Sequence, residues 1–300
     1  MAMHKIPGYE IFVGSLFALR GQKSLSDAGI THVLSAVRGQ LDEKLVGNFK
    51  HLHLQVDDDD EEDLIRYFPK TNAFINDALE SGGAVLVHCI AGISRSVTIT
   101  TAYIMSDRQI TVGEALAIVC EGRAVANPNE SFLEQLEVYA KDNYTVNENS
   151  VEYRRWKLRK ESEIAAAAGT APLPTIYSDV KAGLDSTVEL RCKKCRCPVA
   201  QSSAIVPHTP QTRADTKIGP RTVSILSAQC MHYFTDPVRW MQPELEKGLL
   251  EGKFDCPKCK TKIGSYRWQG MKCSCGKWIT PGISIQRGRV DETRILTSRA

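Results

Sequence analysis

The chain holds 300 residues, with 38 Lys and Arg against 35 Asp and Glu and a formal net charge of +3. That length exceeds one small domain and predicts two, and the lack of any apolar run of ~20 residues argues against a membrane span. The start Met1-Ala2-Met3-His4-Lys5-Ile6-Pro7 has no signal-peptide core, so an intracellular, reducing setting is expected, in which ten cysteines read as metal ligands or reactive thiols ahead of disulfides.

In chain order, the apolar periodicity predicts strands over 11–13 and 32–37 with a short helix over 21–29 between them. A third strand over 51–56 and an amphipathic helix over 63–79 follow. A buried strand is expected over 84–87 and a helix over 94–105. Thr111 and Glu114 make a capping box for a helix over 111–121, and another helix is expected over 129–141. Cys120 falls on the apolar side of its helix, as an ordinary core residue does. These elements describe one α/β domain over 1–143.

The segment Val85-Leu86-Val87-His88-Cys89-Ile90-Ala91-Gly92-Ile93-Ser94-Arg95-Ser96 puts a cysteine at the end of a buried strand and an arginine six residues later, where a helix begins. A loop feeding N–H groups into a helix N-terminus binds an anion. The same donors lower the pKa of a thiol from its ordinary ~8.5, making a nucleophile of Cys89. The backbone of Ile90, Ala91, Gly92, Ile93 and Ser94 would cradle a phosphoryl group. Arg95 would add a planar two-pronged donor matched to two equatorial oxygens, and the Ser96 hydroxyl would hydrogen-bond the sulfur. Gly92 allows close approach of the backbone. His88, adjacent to the nucleophile along an extended strand, is expected to point to the opposite face and support the loop.

Cleavage of a phosphate ester also needs a proton donor. The acidic run Asp57-Asp58-Asp59-Asp60-Glu61-Glu62-Asp63 lies between a predicted strand and helix and is the candidate region, although such runs are more often solvated loops. At these residues the chain resembles the protein tyrosine phosphatase superfamily, and the wording Ala91-Gly92-Ile93-Ser94-Arg95-Ser96 resembles its dual-specificity branch. The resemblance implies a phosphatase fold with a mostly parallel central sheet flanked by helices. It also implies hydrolysis of phosphotyrosine and phosphoserine or phosphothreonine through a cysteinyl-phosphate. The family's spacing, laid on Val56, Asp58, Asp63 and Phe68, implies Asp58 as general acid and then base, with Asp57 and Asp59 as fallbacks. Asp63 reads more simply as a helix N-terminal residue. Inositide phosphatases of the superfamily carry lysines inside this loop and its RNA triphosphatases a different wording, so a phosphoprotein substrate is implied.

Residues 144–186 read as a linker with a helix over 151–168, followed by prolines and small residues over 169–179. The basic run Arg154-Arg155-Trp156-Lys157-Leu158-Arg159-Lys160 suits nuclear import or RNA, and more often is one solvated helix face. Residues 187–300 hold the two-residue-spaced pairs Cys192/Cys195 and Cys256/Cys259, with Cys230, Cys273 and Cys275. Such pairs converge on tetrahedral zinc, which predicts a small β-rich domain stapled by two structural ions. The simplest partition gives one ion to Cys256, Cys259, Cys273 and Cys275. The other then takes Cys192, Cys195, Cys230 and a fourth donor, His208, Cys197 or His232; interleaved pairing is also open. From Lys181 onward there are 21 Lys and Arg against 10 Asp and Glu, a balance of +11, whereas residues 1–180 hold 17 against 25, or −8. A basic metal-bound domain with Trp240, Trp268 and Trp278 suits RNA or a ribonucleoprotein surface, unless those rings pack the core.

The two halves together resemble the dual-specificity protein phosphatase 12 family. The signature lies in Gln229-Cys230, Tyr233-Phe234, Pro237, Trp240-Met241, Cys256-Pro257-Lys258-Cys259, Cys273-Ser274-Cys275-Gly276 and Trp278-Ile279-Thr280-Pro281. Cys197 has no match in that pattern. The resemblance implies a role in late assembly of the large ribosomal subunit, a preribosomal partner, and residence in nucleus and cytoplasm.

Overall fold

The computed structural model describes residues 2–172, 177–178, 187–208 and 230–295. The chain divides into two compact units, Met1–Trp156 and Lys157–Ala300. The first contains strands β1 (Met3–Lys5), β2 (Ile11–Ser15), β3 (Ile30–Ala36), β4 (Lys50–Leu54) and β5 (Ala84–Cys89) in one sheet of order β1-β2-β5-β3-β4. Only the β1–β2 pairing is antiparallel.

Central β5 is buried along all six residues, as a strand covered on both faces must be. Its side chains alternate between two cores. Val85, Val87 and Cys89 join the larger one, with Val97, Ile99 and Ile104 of α4 (Arg95–Arg108), Ala115 and Val119 of α5 (Val112–Gly122) and Phe132 and Leu136 of α6 (Glu130–Lys141). Ala84 and Leu86 enter the smaller one, with Leu25 of α1 (Gln22–Asp27) and Val46 of α2 (Glu43–Val46). The period of two therefore settles that Cys89 faces α4 while His88 faces away.

Two expectations change. The helix predicted over 63–79 is α3, Phe68–Glu80, preceded by a 3-10 turn at Ile65–Tyr67. Pro69 lacks an N–H and its ring would strike the carbonyl four residues back, so Pro69 fits the first turn and blocks an α-helix from Asp63. Asp63 instead accepts a hydrogen bond from Tyr153 Oη at 2.9 Å. That contact bears on the predicted linker. Its helix, α7 (Val151–Ala167), begins in the first unit, where Tyr153 and Trp156 are buried against the larger core. The remainder of the predicted linker lies partly outside the described residues, at 173–176 and 179–186.

The second unit is β-rich. Strands β6 (Val188–Cys192), β7 (Pro198–Gln201) and β14 (Val290–Arg294) form one sheet; β8 (His232–Phe234), β9 (Glu251–Asp255), β10 (Lys262–Arg267) and β13 (Ser284–Gln286) form another; β11 (Met271–Lys272) and β12 (Trp278–Ile279) pair alone. Every pairing between these strands is antiparallel. Trp268 is fully buried and Trp240 donates to the Val199 carbonyl at 2.7 Å, so these two rings build core; Trp278 is exposed. Residues 209–229, including Gln229, lie outside the description.

Because Trp156 packs in the first core, Trp156→Ala is expected to lower that unit's stability by about 3 kcal/mol. A side chain in a free linker would cost nothing, and urea denaturation separates the two outcomes.

Candidate active site and metal centres

Strand β5 ends on Cys89, and the loop to α4 folds its donors back onto the sulfur. Gly92 N–H reaches Sγ at 3.2 Å and the Ser96 hydroxyl at 3.4 Å. Burial pushes the Cys89 thiol up, but hydrogen bonds from the Ser96 hydroxyl and the N–H groups of Ser96, Ile93 and Gly92 outweigh it, and the pKa is lowered. Gly92 carries φ +71°, and a β-carbon there would lie 2.5 Å from the Gly14 carbonyl, so β2 closes the back of the loop against any larger residue.

Arg95 is buried at the first position of α4 and donates through Nη1 to the Val56 carbonyl at 3.0 Å, while Nε lies 3.4 Å from Asp58 Oδ2. Asp58 Oδ1 accepts from Ser94 Oγ at 2.6 Å and from Asn129 Nδ2 at 3.1 Å. Of the three candidate acids, Asp58 is the one tied to the nucleophile loop. Asp57 pairs with Arg38, and Asp59 accepts the N–H groups of Glu61 and Glu62. Cys89, Ser94, Arg95, Ser96 and Asp58 thus converge, while Ile90 and Ile93 project outward, 49% and 37% exposed.

His88 is fully buried, and burial lowers its pKa to about 4, so it is neutral at neutral pH. Its Nδ1 lies 3.3 Å from the Cys89 carbonyl, which requires the proton on Nδ1; Nε2 then accepts from Ser35 Oγ at 2.6 Å. The sequence assigns four supporting residues no part in the site. Ser35 anchors His88. Arg123 is buried behind the loop and donates to the carbonyls of Gly92 and Ala91. Gln135, fully buried on α6, accepts from Leu64 N–H and Ile65 N–H at 2.8 Å each and donates to the Glu62 carbonyl at 2.8 Å. Asn129 caps α6 as well as holding Asp58. Only Asn129 leaves a trace in the sequence, as a cap residue just before a helix.

In the second unit two groups of four donors each lie within 4.8 Å of one another: Cys192, Cys195, Cys256 and Cys259; and His208, Cys230, Cys273 and Cys275. The simplest partition from sequence is therefore corrected to the interleaved one. The turn bearing Cys256 and Cys259 opens β10, and Cys273 and Cys275 follow its far end; six residues of strand span about 20 Å, too far for one ion. His208 belongs with Cys230, at 3.4 Å from its Sγ, and with Cys273, at 3.2 Å. Neither Cys197 nor His232 joins a group. The separations Cys192–Cys259, 3.8 Å, and Cys195–Cys256, 3.6 Å, fit the ~3.8 Å edge of a thiolate tetrahedron with metal–sulfur bonds of ~2.3 Å. The two knuckles are built alike: Arg196 N–H returns to Cys192 O and Lys260 N–H to Cys256 O, with φ +60° and +57°. Each group closes with four protein donors, the pattern of a structural site.

Residues 11–142 match the family described as dual specificity phosphatase, catalytic domain. The chain is similar to the tyrosine-protein phosphatase yvh1 of Schizosaccharomyces pombe, 43% identical over 274 residues covering 91% of this chain and 80% of that one. It is also similar to human dual specificity protein phosphatase 12, 36% identical over 298 residues covering 95% and 87%. The crystal structure of the Yvh1 phosphatase domain from Chaetomium thermophilum is 32% identical with TM-score 0.45, covering 49% of this chain and 99% of that one.

Removing the Ser96 hydroxyl takes away a donor that favours the thiolate. Ser96→Ala is expected to raise the Cys89 pKa, so the midpoint of thiol alkylation against pH moves upward and alkylation at neutral pH slows.

Proposed function

The chain belongs to the dual-specificity phosphatase family, in the group of Yvh1 and dual specificity protein phosphatase 12, and from that premise we propose that Cys89 cleaves phosphoprotein monoesters through a cysteinyl-phosphate. The convergence of four donors on the Cys89 sulfur, with Asp58 hydrogen-bonded to the same loop through Ser94, supports this reading above any other observation.

In the first step the thiolate attacks phosphorus, the bond to the ester oxygen breaks, and Asp58 delivers its proton to that oxygen. In the second, water attacks phosphorus, Asp58 takes the water proton, and the phosphorus–sulfur bond breaks with the Ser96 hydroxyl bonded to the departing thiolate. Arg95 and the N–H groups of residues 90–95 hold the equatorial oxygens through both steps, where charge is greatest. The product set is an alcohol or phenol and inorganic phosphate.

We assign both four-donor groups to structural zinc, on their thiolate-rich chemistry and tetrahedral separations. Bound zinc supplies folding energy there, and the first unit's chemistry needs no ion. The reading extends to late assembly of the large ribosomal subunit, with a preribosomal particle or its RNA as partner and residence in nucleus and cytoplasm. The sequence signature across 230–281 and the +11 balance beyond residue 180 support this part. No helix among the described residues is long and apolar enough to cross a membrane.

Purified Cys89→Ser is expected to release no phosphate from an aryl ester. Asp58→Ala should lose about 10²–10⁴ in turnover, most with poor leaving groups; wild-type rates in either would refute the assignment. Cys256→Ser is expected to lower bound zinc from two ions per chain to one and to fail in rescuing a null strain. Rescue of that strain by Cys89→Ser would show assembly to be the principal duty and catalysis dispensable.

A further inference from the structure

In the second unit Trp240 and Trp268 build core, whereas Trp278 is 54% exposed. It lies on the β11–β12 hairpin, whose turn carries Cys273 and Cys275 of the second four-donor group and is closed by Cys273 N–H on the Lys277 carbonyl at 2.8 Å. The hairpin is therefore anchored at its tip by the same group that holds His208 and Cys230. Met231, itself exposed, donates its N–H to Ser274 Oγ in that turn at 2.9 Å.

The Trp278 ring is fixed in place. Its Nε1 donates to Thr280 Oγ1 at 3.1 Å, and it packs so closely on Gly270 that a β-carbon there would stand 2.4 Å from Nε1. The indole's one donor is thus used within its own hairpin, and the ring face is what remains for a partner. A side chain already ordered loses little freedom on binding.

Charge says which partner. Lys272 sits directly across from Trp278 in the β11–β12 register, on the same face of the pair, and Lys277 precedes Trp278 in the chain; both lysines are exposed. From Cys256 to Val290 the chain holds five Lys and three Arg and no Asp or Glu. A flat apolar ring beside two cations, on a stretch free of acids, matches a nucleotide: the base stacks and the phosphates meet the lysines. An acidic peptide would satisfy the lysines and leave the ring bare, and a duplex keeps its base faces stacked inside.

Resting on the ribosome-assembly reading above, we propose that the β11–β12 hairpin is a platform for single-stranded RNA, on which Trp278 stacks an unpaired base while Lys272 and Lys277 hold the flanking phosphates.

The test titrates the zinc-loaded full chain with a short single-stranded RNA of mixed sequence, the same RNA as a duplex, and an oligoaspartate peptide. The single strand is expected to bind most tightly. Trp278→Ala should weaken it by about fivefold or more, and Trp278→Phe, which keeps a flat ring, by less. Lys272→Gln with Lys277→Gln, both at exposed positions, should lower the slope of log affinity against log salt by about 1.4, at ~0.7 for each phosphate contact. Bound RNA should quench tryptophan emission in the wild type and much less in Trp278→Phe, since Trp156 and Trp268 are buried and Trp240 is bonded into the core. Wild-type affinity and salt slope in the alanine and glutamine variants, or a preference for the duplex or for oligoaspartate, overturns the platform. So does absence of RNA binding by a chain that still co-sediments with large-subunit precursor particles, which leaves the assembly reading standing. Absence of both RNA binding and co-sedimentation overturns the two together.

Discussion

A thiolate buried at the end of a strand is unfavourable in proportion to its desolvation, and the first unit is organised around offsetting that cost. Donors must converge on Cys89 Sγ from one side, and the backbone that supplies them must be held from the other. Hence the loop is clamped by Arg123 on two carbonyls, by β2 against Gly92, and by His88 and Ser35 beneath the nucleophile. Arg123, β2 and His88 act on the loop's backbone, because its N–H groups, with the Ser96 hydroxyl, are what stabilise the anion.

The second requirement is a proton donor at a fixed distance from the same loop. The acidic run would be mobile solvated chain without partners, so α6 supplies them: Asn129 to Asp58, Ser131 to the Asp60 carbonyl, and Gln135 to the backbone of residues 62–65. Helix α6 thus ties the acid loop down, and its Asn129 N–H also donates to Ser94 Oγ in the nucleophile loop. The nucleophile loop and the acid loop are kept in register by one helix N-terminus.

The second unit meets a different constraint, since its strands are short and its core small. Two groups of four donors substitute for core volume. Each group draws on segments distant in the chain, Cys192 with Cys259 and His208 with Cys273, so an ion bound at either would close long loops rather than local turns.

The chemistry of Cys89, Arg95 and Ser96 was legible in the sequence because their spacing along one strand-loop-helix is local, and local geometry follows from local sequence. The same holds for the alternation that turns His88 away and for the CxxC pairs, whose two thiols meet within a turn. Asp58 was preferred to Asp57 and Asp59 through the spacing of the family the chain resembles, whereas choices that depend on which distant segments meet were open: the interleaving of the metal ligands, the capture of Trp156 by the first core, and the buried Arg123 and Gln135. None of these follows from spacing, since each is decided by a partner dozens of residues away. Residue types and short spacings therefore determined the phosphatase chemistry and the presence of metal-ligand pairs, and tertiary packing alone decided which side chains hold the acid loop and which cysteines come together in each four-donor group.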